Sequence, residues 1–193
     1  LGYALRITAT TLHSAVRPSI GLWDESVVTM RVWPSDLDAF GHMNNGRYLQ
    51  IMDVARTEWM ARTGVLSTMW NNKWTAVLGG GLTRYRRSLK LLQKYEVRTQ
   101  LVHWDERWFY FEHAFIDDLN RRVAVGVSRA ALRNSAGWVH TADIVASVAP
   151  DAANPSPPVN LESWLTLDEE VFRQAGGCAA RDKTEKGLAG AAR

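Results

Sequence analysis

The sequence predicts an α+β domain in which a curved antiparallel sheet of about five strands wraps around one long helix. An alternating, strand-like segment comes early, a long segment with helical periodicity follows it, and four further alternating segments then follow one another. Consecutive strands joined by short turns pair antiparallel, and their common apolar face needs the amphipathic helix to cover it.

The first 25 residues predict an amphipathic helix ahead of this domain. Apolar residues recur there at helical spacing until Pro18 ends the pattern. The residues on this apolar face are Leu5, Ala9, Leu12 and Val16. The first 23 residues contain no acid, so a transit peptide or peripheral contact with a membrane surface stays open. We favour the plainer interpretation, in which the apolar face packs against the helix's own domain.

The first strand and the long helix come next. Alternation over Ser26–Val32 predicts the strand, which Pro34 ends. Asn44 or Asn45 can cap the helix, and Gly64 can end it.

The long helix is predicted to be well buried along one face. That face comprises Tyr48, Leu49, Ile51, Met52, Ala55, Trp59 and Met60. On the solvent-exposed side, Glu58 and Arg62 are predicted to form an i,i+4 ion pair.

Four alternating segments predict the rest of the sheet. They are Thr75–Arg87, Tyr95–Leu101, Trp108–Ile116 and Val123–Leu132. The first is interrupted by Gly79–Gly81, which indicates a bulge or a bend. We place the domain at residues 26–148. Residues 149–193 follow as a Pro-rich connection, a short helix around Leu161–Gln174 and a tail from Gly176 that is expected to be disordered.

Composition and motifs narrow the function classes. The net charge is only +3 despite a pI of about 9.2, so nucleic-acid binding is not expected. No segment reaches the apolar length of a membrane span, and the single Cys178 allows no intrachain disulfide, which together favour a cytoplasmic protein. His103 and His113 lack metal-ligand spacing, and neither a P-loop nor a nucleophile elbow occurs. We therefore expect no metal and no cofactor.

One short segment between the first strand and the helix carries most of the chemistry. Residues 36–49 combine carboxylates, a glycine, an imidazole and two carboxamides immediately before the helix begins. These groups can attack a carbonyl carbon and hold its oxygen on a helix N-terminus.

The same segment resembles the hotdog-fold acyl-CoA thioesterases, in particular their 4-hydroxybenzoyl-CoA thioesterase branch. The matching pattern is D-x-D-x-x-G-H-x-N-N-x-x-Y-L, beginning at Asp36, within a resemblance that spans residues 26–133. It implies a hotdog fold and makes Asp38 the catalytic carboxylate, either as a nucleophile that forms a mixed anhydride or as the general base for water. Without the surrounding motif, an Asx-turn or helix-capping role for Asp38 would be preferred. With the motif, a catalytic role is favoured.

The other residues of the segment have expected roles around the substrate carbonyl. Backbone N–H groups of Asn45 and Gly46 would hold its oxygen, because the first amides of a helix lack intrahelical partners. Gly41 would allow a tight turn. His42 lies beside a helix N-terminus, which disfavours its cation, so we expect it to orient the catalytic carboxylate rather than react. Helix capping accounts for the presence of Asn44 or of Asn45, and Asn44 would also border the substrate.

Further charged residues complete the predicted site. Asp36 is expected to anchor the loop rather than raise the pKa of Asp38. Arg84, Arg86 and Arg87 would dock the phosphates of coenzyme A, although a solvated strand face explains such a cluster equally well.

The resemblance implies hydrolysis of acyl-CoA or acyl-carrier-protein thioesters in lipid metabolism, by a homodimer or homotetramer with sites at the subunit interface. The exposed edge of a single curled sheet is a physical reason to expect this association. One rival function is a non-catalytic acyl or acyl-CoA binding module on the same fold. A hotdog dehydratase or hydratase ranks last, since those relatives carry a different His/acid arrangement on the helix and Tyr48–Arg62 contains no histidine.

Overall fold

The computed structural model describes residues 2–171 and 173. Its helices are α1 (Tyr3–Ser14), α2 (Asn45–Arg62), α3 (Val65–Asn71) and α4 (Thr141–Val148). Its strands are β1 (Ser26–Arg31), β2 (Thr75–Tyr85), β3 (Lys94–Trp104), β4 (Phe109–Asp117), β5 (Arg122–Asn134) and β6 (Gly137–Trp138). A short 3-10 turn, Pro34–Asp36, precedes α2.

The chain divides into two compact units, Leu1–Ser156 and a second that begins at Pro157. The second unit contains helix over residues 159–171. The tail predicted from Gly176 lies outside the described residues. The domain bounds of 26–148 stay a prediction.

The sheet of the first unit is antiparallel throughout and has the strand order β1-β3-β4-β5-β2, with β6 added beside the end of β5. This confirms the predicted curved sheet around one long helix. The bulge expected at Gly79–Gly81 is also confirmed, because the β2–β5 register shifts between Leu78 and Gly80. Strands β1 and β2 lie at the two ends of the sheet order.

Helix α2 supplies the centre of the core, largely as predicted. Its predicted face packs on the sheet through aromatic pairs, Tyr48 with Phe115 at 4.9 Å and Trp59 with Phe111 at 5.0 Å between ring centroids. Burial of these rings and their aliphatic neighbours removes apolar surface from water, the main stabilising contribution to the fold. The prediction was wrong for Leu49, which is about half exposed because it lies in the open first turns of the helix.

Glu58 also differs from the prediction, because it is buried rather than solvent-exposed. Its carboxylate accepts hydrogen bonds from Arg62, Arg17 and the Ser26 hydroxyl. The segment that follows α1 covers this side of α2 and excludes water there. The i,i+4 pair with Arg62 therefore exists, but inside a buried cluster.

Helix α1 forms as expected but faces the opposite way. Leu5, Leu12 and Val16 are exposed by 55%, 69% and 81%, whereas Arg6 and Ser14 are buried. The inward face of α1 is polar because the carboxylates beneath it, among them Asp36, need partners that an apolar face cannot supply. The prediction that the apolar face packs on the domain is therefore wrong.

A polar network lies between α2 and the sheet. The Arg56 guanidinium contacts Asp53 and donates to the Ser128 hydroxyl at 2.9 Å. His113 bridges Ser128 and Thr99 through its two ring nitrogens, each at 3.0 Å. Burial, reinforced by the nearby Arg56 cation, holds the pKa of His113 well below its usual value. The imidazole is consequently a neutral member of the core.

Helices α3 and α4 and strand β6 had no counterpart among the predicted elements. Gly64 ends α2 as expected, but with φ at +83° it also turns the chain directly into α3. No helix within residues 2–171 is long and apolar enough to cross a membrane.

Candidate active site

The segment before α2 folds into a tight loop that closes on itself. The Asp38 amide donates to the His42 carbonyl at 2.8 Å, and the Gly41 amide donates to the Asp38 carbonyl at 3.1 Å. Gly41 adopts φ +75°, a left-handed conformation that a side chain would strain. The loop thus needs the glycine predicted at this turn.

The Asp38 carboxylate is half-buried and held by its own loop. Its Oδ1 accepts the backbone amides of Phe40 at 2.9 Å and His42 at 3.2 Å. This is Asx-turn geometry, the alternative considered for this residue. The second oxygen, Oδ2, hydrogen-bonds to no described residue, so the turn fixes the carboxylate while leaving one oxygen available.

The beginning of α2 supplies the second half of the site. Asn44 is the N-cap, and its side-chain oxygen accepts the Gly46 amide at 2.8 Å. Gly46 N–H, expected to be an unpartnered donor for a carbonyl oxygen, is therefore already occupied. Asn45 is the first helical residue, and its N–H has no acceptor among the described residues, which leaves it as the available donor.

His42 takes a different position from the expected one. Its ring is half-buried and makes no hydrogen bond within residues 2–171, whereas its backbone amide and carbonyl both bond to Asp38. The orientation of the carboxylate therefore comes from the loop backbone rather than from the imidazole.

Asp36 anchors the loop to the rest of the domain. Its fully buried carboxylate pairs with Arg6 of α1, accepts the Trp33 amide at 2.9 Å and lies 3.8 Å from Arg47 Nε. Its carbonyl accepts the amide of the N-cap Asn44 at 2.8 Å. One residue thus connects α1, the 3-10 turn and the start of α2. Sequence reasoning missed Arg6, because an arginine on a predicted amphipathic helix gives no signal of its distant partner.

Two tyrosines pack beneath the loop. Tyr48 is buried, with ring contact to Tyr85 at 5.0 Å, and burial raises the pKa of its hydroxyl to about 12. The Tyr85 hydroxyl donates to the Asn45 carbonyl at 3.1 Å. Tyr85 thereby fixes the peptide next to the available amide. The alternation along β2 was the only sequence feature that predicted that the Tyr85 side chain faces the helix.

The predicted basic residues lie on the surface of the chain. Arg84, Arg86 and Arg87 are all exposed. Tyr85 contacts Tyr48 on the helix side of the sheet, so strand alternation places Arg84 on the outer side. Lys90 comes closer, since its backbone forms a bridge with His42. The phosphate-docking role of the three arginines stays a prediction.

The site is open in the single chain. Phe40, within the loop, is 85% exposed, and Leu49 and Tyr85 are partly exposed nearby. Within the described residues, no group of three His, Cys, Asp or Glu side chains could hold a metal ion. The loop therefore offers a fixed, half-buried carboxylate, and the start of α2 offers an amide donor on an exposed residue.

The chain is similar in sequence to known proteins. A family model described as the thioesterase-like superfamily matches residues 32–161. The chain is 37% identical over 115 residues to Protein THEM6 of Xenopus laevis, covering 59% of this chain and 56% of that protein. It is 33% identical over 136 residues to Protein THEM6 of Drosophila melanogaster, covering 69% of this chain and 68% of that protein. The chain thus spans between about half and two thirds of the length of the curated relatives it matches.

Solved structures resemble the fold at lower sequence identity. A gentisyl-coenzyme A thioesterase superposes with a TM-score of 0.57 at 22% identity, covering 62% of this chain and 98% of that chain. A probable thioesterase from Bartonella henselae gives a TM-score of 0.55 at 19% identity, covering 61% of this chain and 98% of that chain. These similarities confirm the predicted hotdog fold.

Proposed function

The chain belongs to the thioesterase-like superfamily, and on that premise we propose that it hydrolyses acyl thioesters, with acyl-CoA as the substrate class. The observation that carries the proposal is the presence, within one short segment, of a carboxylate with one available oxygen, on Asp38, and of one available helix N-terminal amide, on Asn45. The relatives named as thioesterases, one of them a gentisyl-coenzyme A thioesterase, support the same reaction.

Each group has a definite part in the proposed reaction. The thioester carbonyl oxygen accepts the Asn45 N–H, which stabilises the negative charge that develops on that oxygen. Asp38 Oδ2 either attacks the carbonyl carbon or takes a proton from an attacking water. Direct attack breaks the carbon–sulfur bond, releases the thiolate and leaves a mixed anhydride that water then hydrolyses. Attack by water releases the acid and the thiolate without a covalent intermediate.

A second copy of the chain would complete this open site. Strand β2 lies at an end of the sheet order, and its Leu78 and Leu82 are each about half exposed. An exposed apolar edge strand is a template for pairing with another chain. We therefore propose a homodimer joined along β2, alone or as half of a homotetramer. A cytoplasmic location stays a prediction.

The non-catalytic acyl-CoA binding module remains the second candidate because of one observation. Asp38 Oδ1 is occupied by two amides of its own loop, which is what a purely structural Asx-turn would require. A binder would keep this loop and bind CoA esters without releasing thiol.

Thiol release from a panel of acyl-CoA esters separates the two candidates. An enzyme hydrolyses at least one ester, and Asp38→Asn abolishes most of that activity while binding of the ester persists. The matched control is Asp143→Asn, which changes an exposed acid in α4 and is expected to leave activity unchanged. If the folded parent protein binds the esters and hydrolyses none, the catalytic proposal is wrong.

The amide donor can be tested separately, since proline is well tolerated at the first position of a helix. Asn45→Pro removes this N–H while keeping α2, and we expect kcat to fall by about 10²–10³. Asn45→Ala removes only the side chain and serves as the control. Equal kcat values for the two variants would exclude the amide from the reaction.

A further inference from the structure

The outer edge of β1 carries unpaired backbone groups. The Val32 amide donates to Gln93 and the Val32 carbonyl accepts from Leu92, so alternate residues of this segment face β3. The intervening residues therefore present their N–H and C=O groups to the free edge, Thr29 at its centre. Of these groups, the Val27 carbonyl accepts the Arg17 guanidinium. Thr29 makes no hydrogen bond toward that edge within the described residues.

Helix α1 runs beside this edge without closing over it. Two adjoining hollows, of about 350 and 420 Å³, lie between α1 and β1 and share Ala9, Thr10, Val28 and Thr29 as lining residues. The small side chains of Ala9 and Thr10 leave the space open on the helix side. We call this space the α1–β1 groove. Its floor along Val27–Arg31 is about 13 Å long, enough for a short strand.

One end of the groove is positively charged. Arg31 lies directly opposite Lys94 in the β1–β3 register, and both line the groove. Like charges directly opposite each other in a sheet repel. Neither side chain forms a salt bridge within the described residues, whereas Arg6 of α1 and Arg17, which follows α1, are both neutralised by carboxylates. An anionic group bound there would remove the repulsion.

We propose that the α1–β1 groove binds an extended peptide, which adds a strand to the free edge of β1 and places an acidic side chain on Arg31 and Lys94. The unpaired backbone groups supply main-chain hydrogen bonds, as in other cases of strand addition. The adjacent α1 gives the peptide a second wall. Arg31 and Lys94 fix the register by donating hydrogen bonds to the carboxylate of the peptide. This interaction surface is separate from Asp38 and does not depend on the thioesterase proposal.

A defined probe tests the proposal on the full chain. The probe is a short acetylated and amidated peptide of alternating threonine and valine with one glutamate near its end. Titration into isotope-labelled protein is expected to shift the amide resonances of Val27, Thr29 and Arg31. A peptide N-methylated at alternate residues, which cannot donate to the edge, is expected not to bind.

Two variants examine the backbone and the charge separately. Thr29→Pro removes an edge N–H that makes no ladder bond, a position where proline is tolerated, and is expected to weaken binding about tenfold. Arg31→Gln is expected to weaken binding several-fold and to reduce its dependence on salt. Arg122→Gln, at an exposed position of β5, is the matched control and leaves affinity unchanged.

Several results would overturn the proposal. One is the absence of shifts in the amide resonances of Val27, Thr29 and Arg31 at about 1 mM peptide. Another is a folded Thr29→Pro variant that binds the peptide with the same affinity as the parent protein. Binding of the N-methylated peptide as well as its parent would overturn it too, and that comparison stands even if Thr29→Pro fails to fold. Self-association of the chain that Thr29→Pro abolishes would assign the edge to a second copy instead.

Discussion

Replacing Arg6 by methionine is expected to destabilise the protein far more than loss of a surface ion pair. Arg6 and Asp36 form a buried pair whose side chains are 8% and 0% exposed. Methionine keeps much of the side-chain volume but removes the charge. Asp36 would then be a buried carboxylate whose nearest remaining cation is Arg47, at 3.8 Å.

The size of the effect follows from the burial of the pair. Removing one partner of a buried ion pair costs about 3–5 kcal/mol, because the other charge stays desolvated and uncompensated. For a domain of this size, such a loss lowers the melting temperature by roughly 10 °C. The same change is expected to lower the proposed thioesterase activity, since Asp36 also holds the N-cap of α2 through its carbonyl.

Urea unfolding followed by tryptophan fluorescence measures the effect. The matched control is Arg98→Met, which breaks a pair with Glu96 whose side chains are 38% and 40% exposed and should cost less than about 1 kcal/mol. Combining Arg6→Met with Asp36→Asn is expected to recover part of the loss, because no buried charge is then left alone. If Arg6→Met costs no more than Arg98→Met, the buried pair does not hold α1 to the loop.

The remaining predictions concern pH, packing, the loop and assembly. The pKa of His113 is depressed in the folded state, so the unfolded chain binds an extra proton below about pH 6.5. The free energy of unfolding therefore falls below that pH by up to about 1.4 kcal/mol per pH unit. Urea titrations from pH 7 to pH 5 should show this slope in the parent protein and its loss in His113→Gln. Gly79→Ala should cost about 1–3 kcal/mol in the same assay, since its Cβ would overlap the Trp108 ring. Gly41→Ala meets no neighbouring atom but must adopt φ +75°, so it should lose about 1 kcal/mol together with thiol-release activity; unchanged activity would separate this turn from the site. Leu82→Lys, on the exposed β2 edge, should shift the light-scattering mass of the proposed dimer toward that of the monomer, and a stable dimer in this variant would place the interface elsewhere.

The elements around the site were predictable because short-range rules determine them. Asn44 caps α2 with its own side chain, and Gly64 ends the helix in the left-handed conformation. The turn at Gly41 likewise follows from residues a few positions apart. These caps and this turn have their partners within one turn, so the local sequence contains the necessary information. The glycines of Gly79–Gly81 mark the bulge in the sequence, although its partner strand β5 lies far along the chain.

Long-range partners were not predictable in the same way. Helical periodicity correctly identified an apolar face on α1, yet that face is exposed because the carboxylates of Asp36 and Glu58 draw Arg6 and Arg17 inward. The same contacts make Glu58 a buried acid. A pattern of period 3.6 shows that a helix has two faces and does not identify which one meets the domain when the site beneath is charged.

The sequence by itself determined the order of the long helix and the five main strands, the curved sheet on that helix and the loop that holds Asp38, because these depend on periodicity, caps and turn residues. The tertiary structure alone decided which groups of that loop remain available. Asn44 occupies the Gly46 amide, two loop amides occupy Asp38 Oδ1, and Arg6 holds Asp36 from a distant helix. Hydrogen-bond and ion-pair partners are assigned by competition in space among residues distant in the chain, so they are fixed only once the chain has folded.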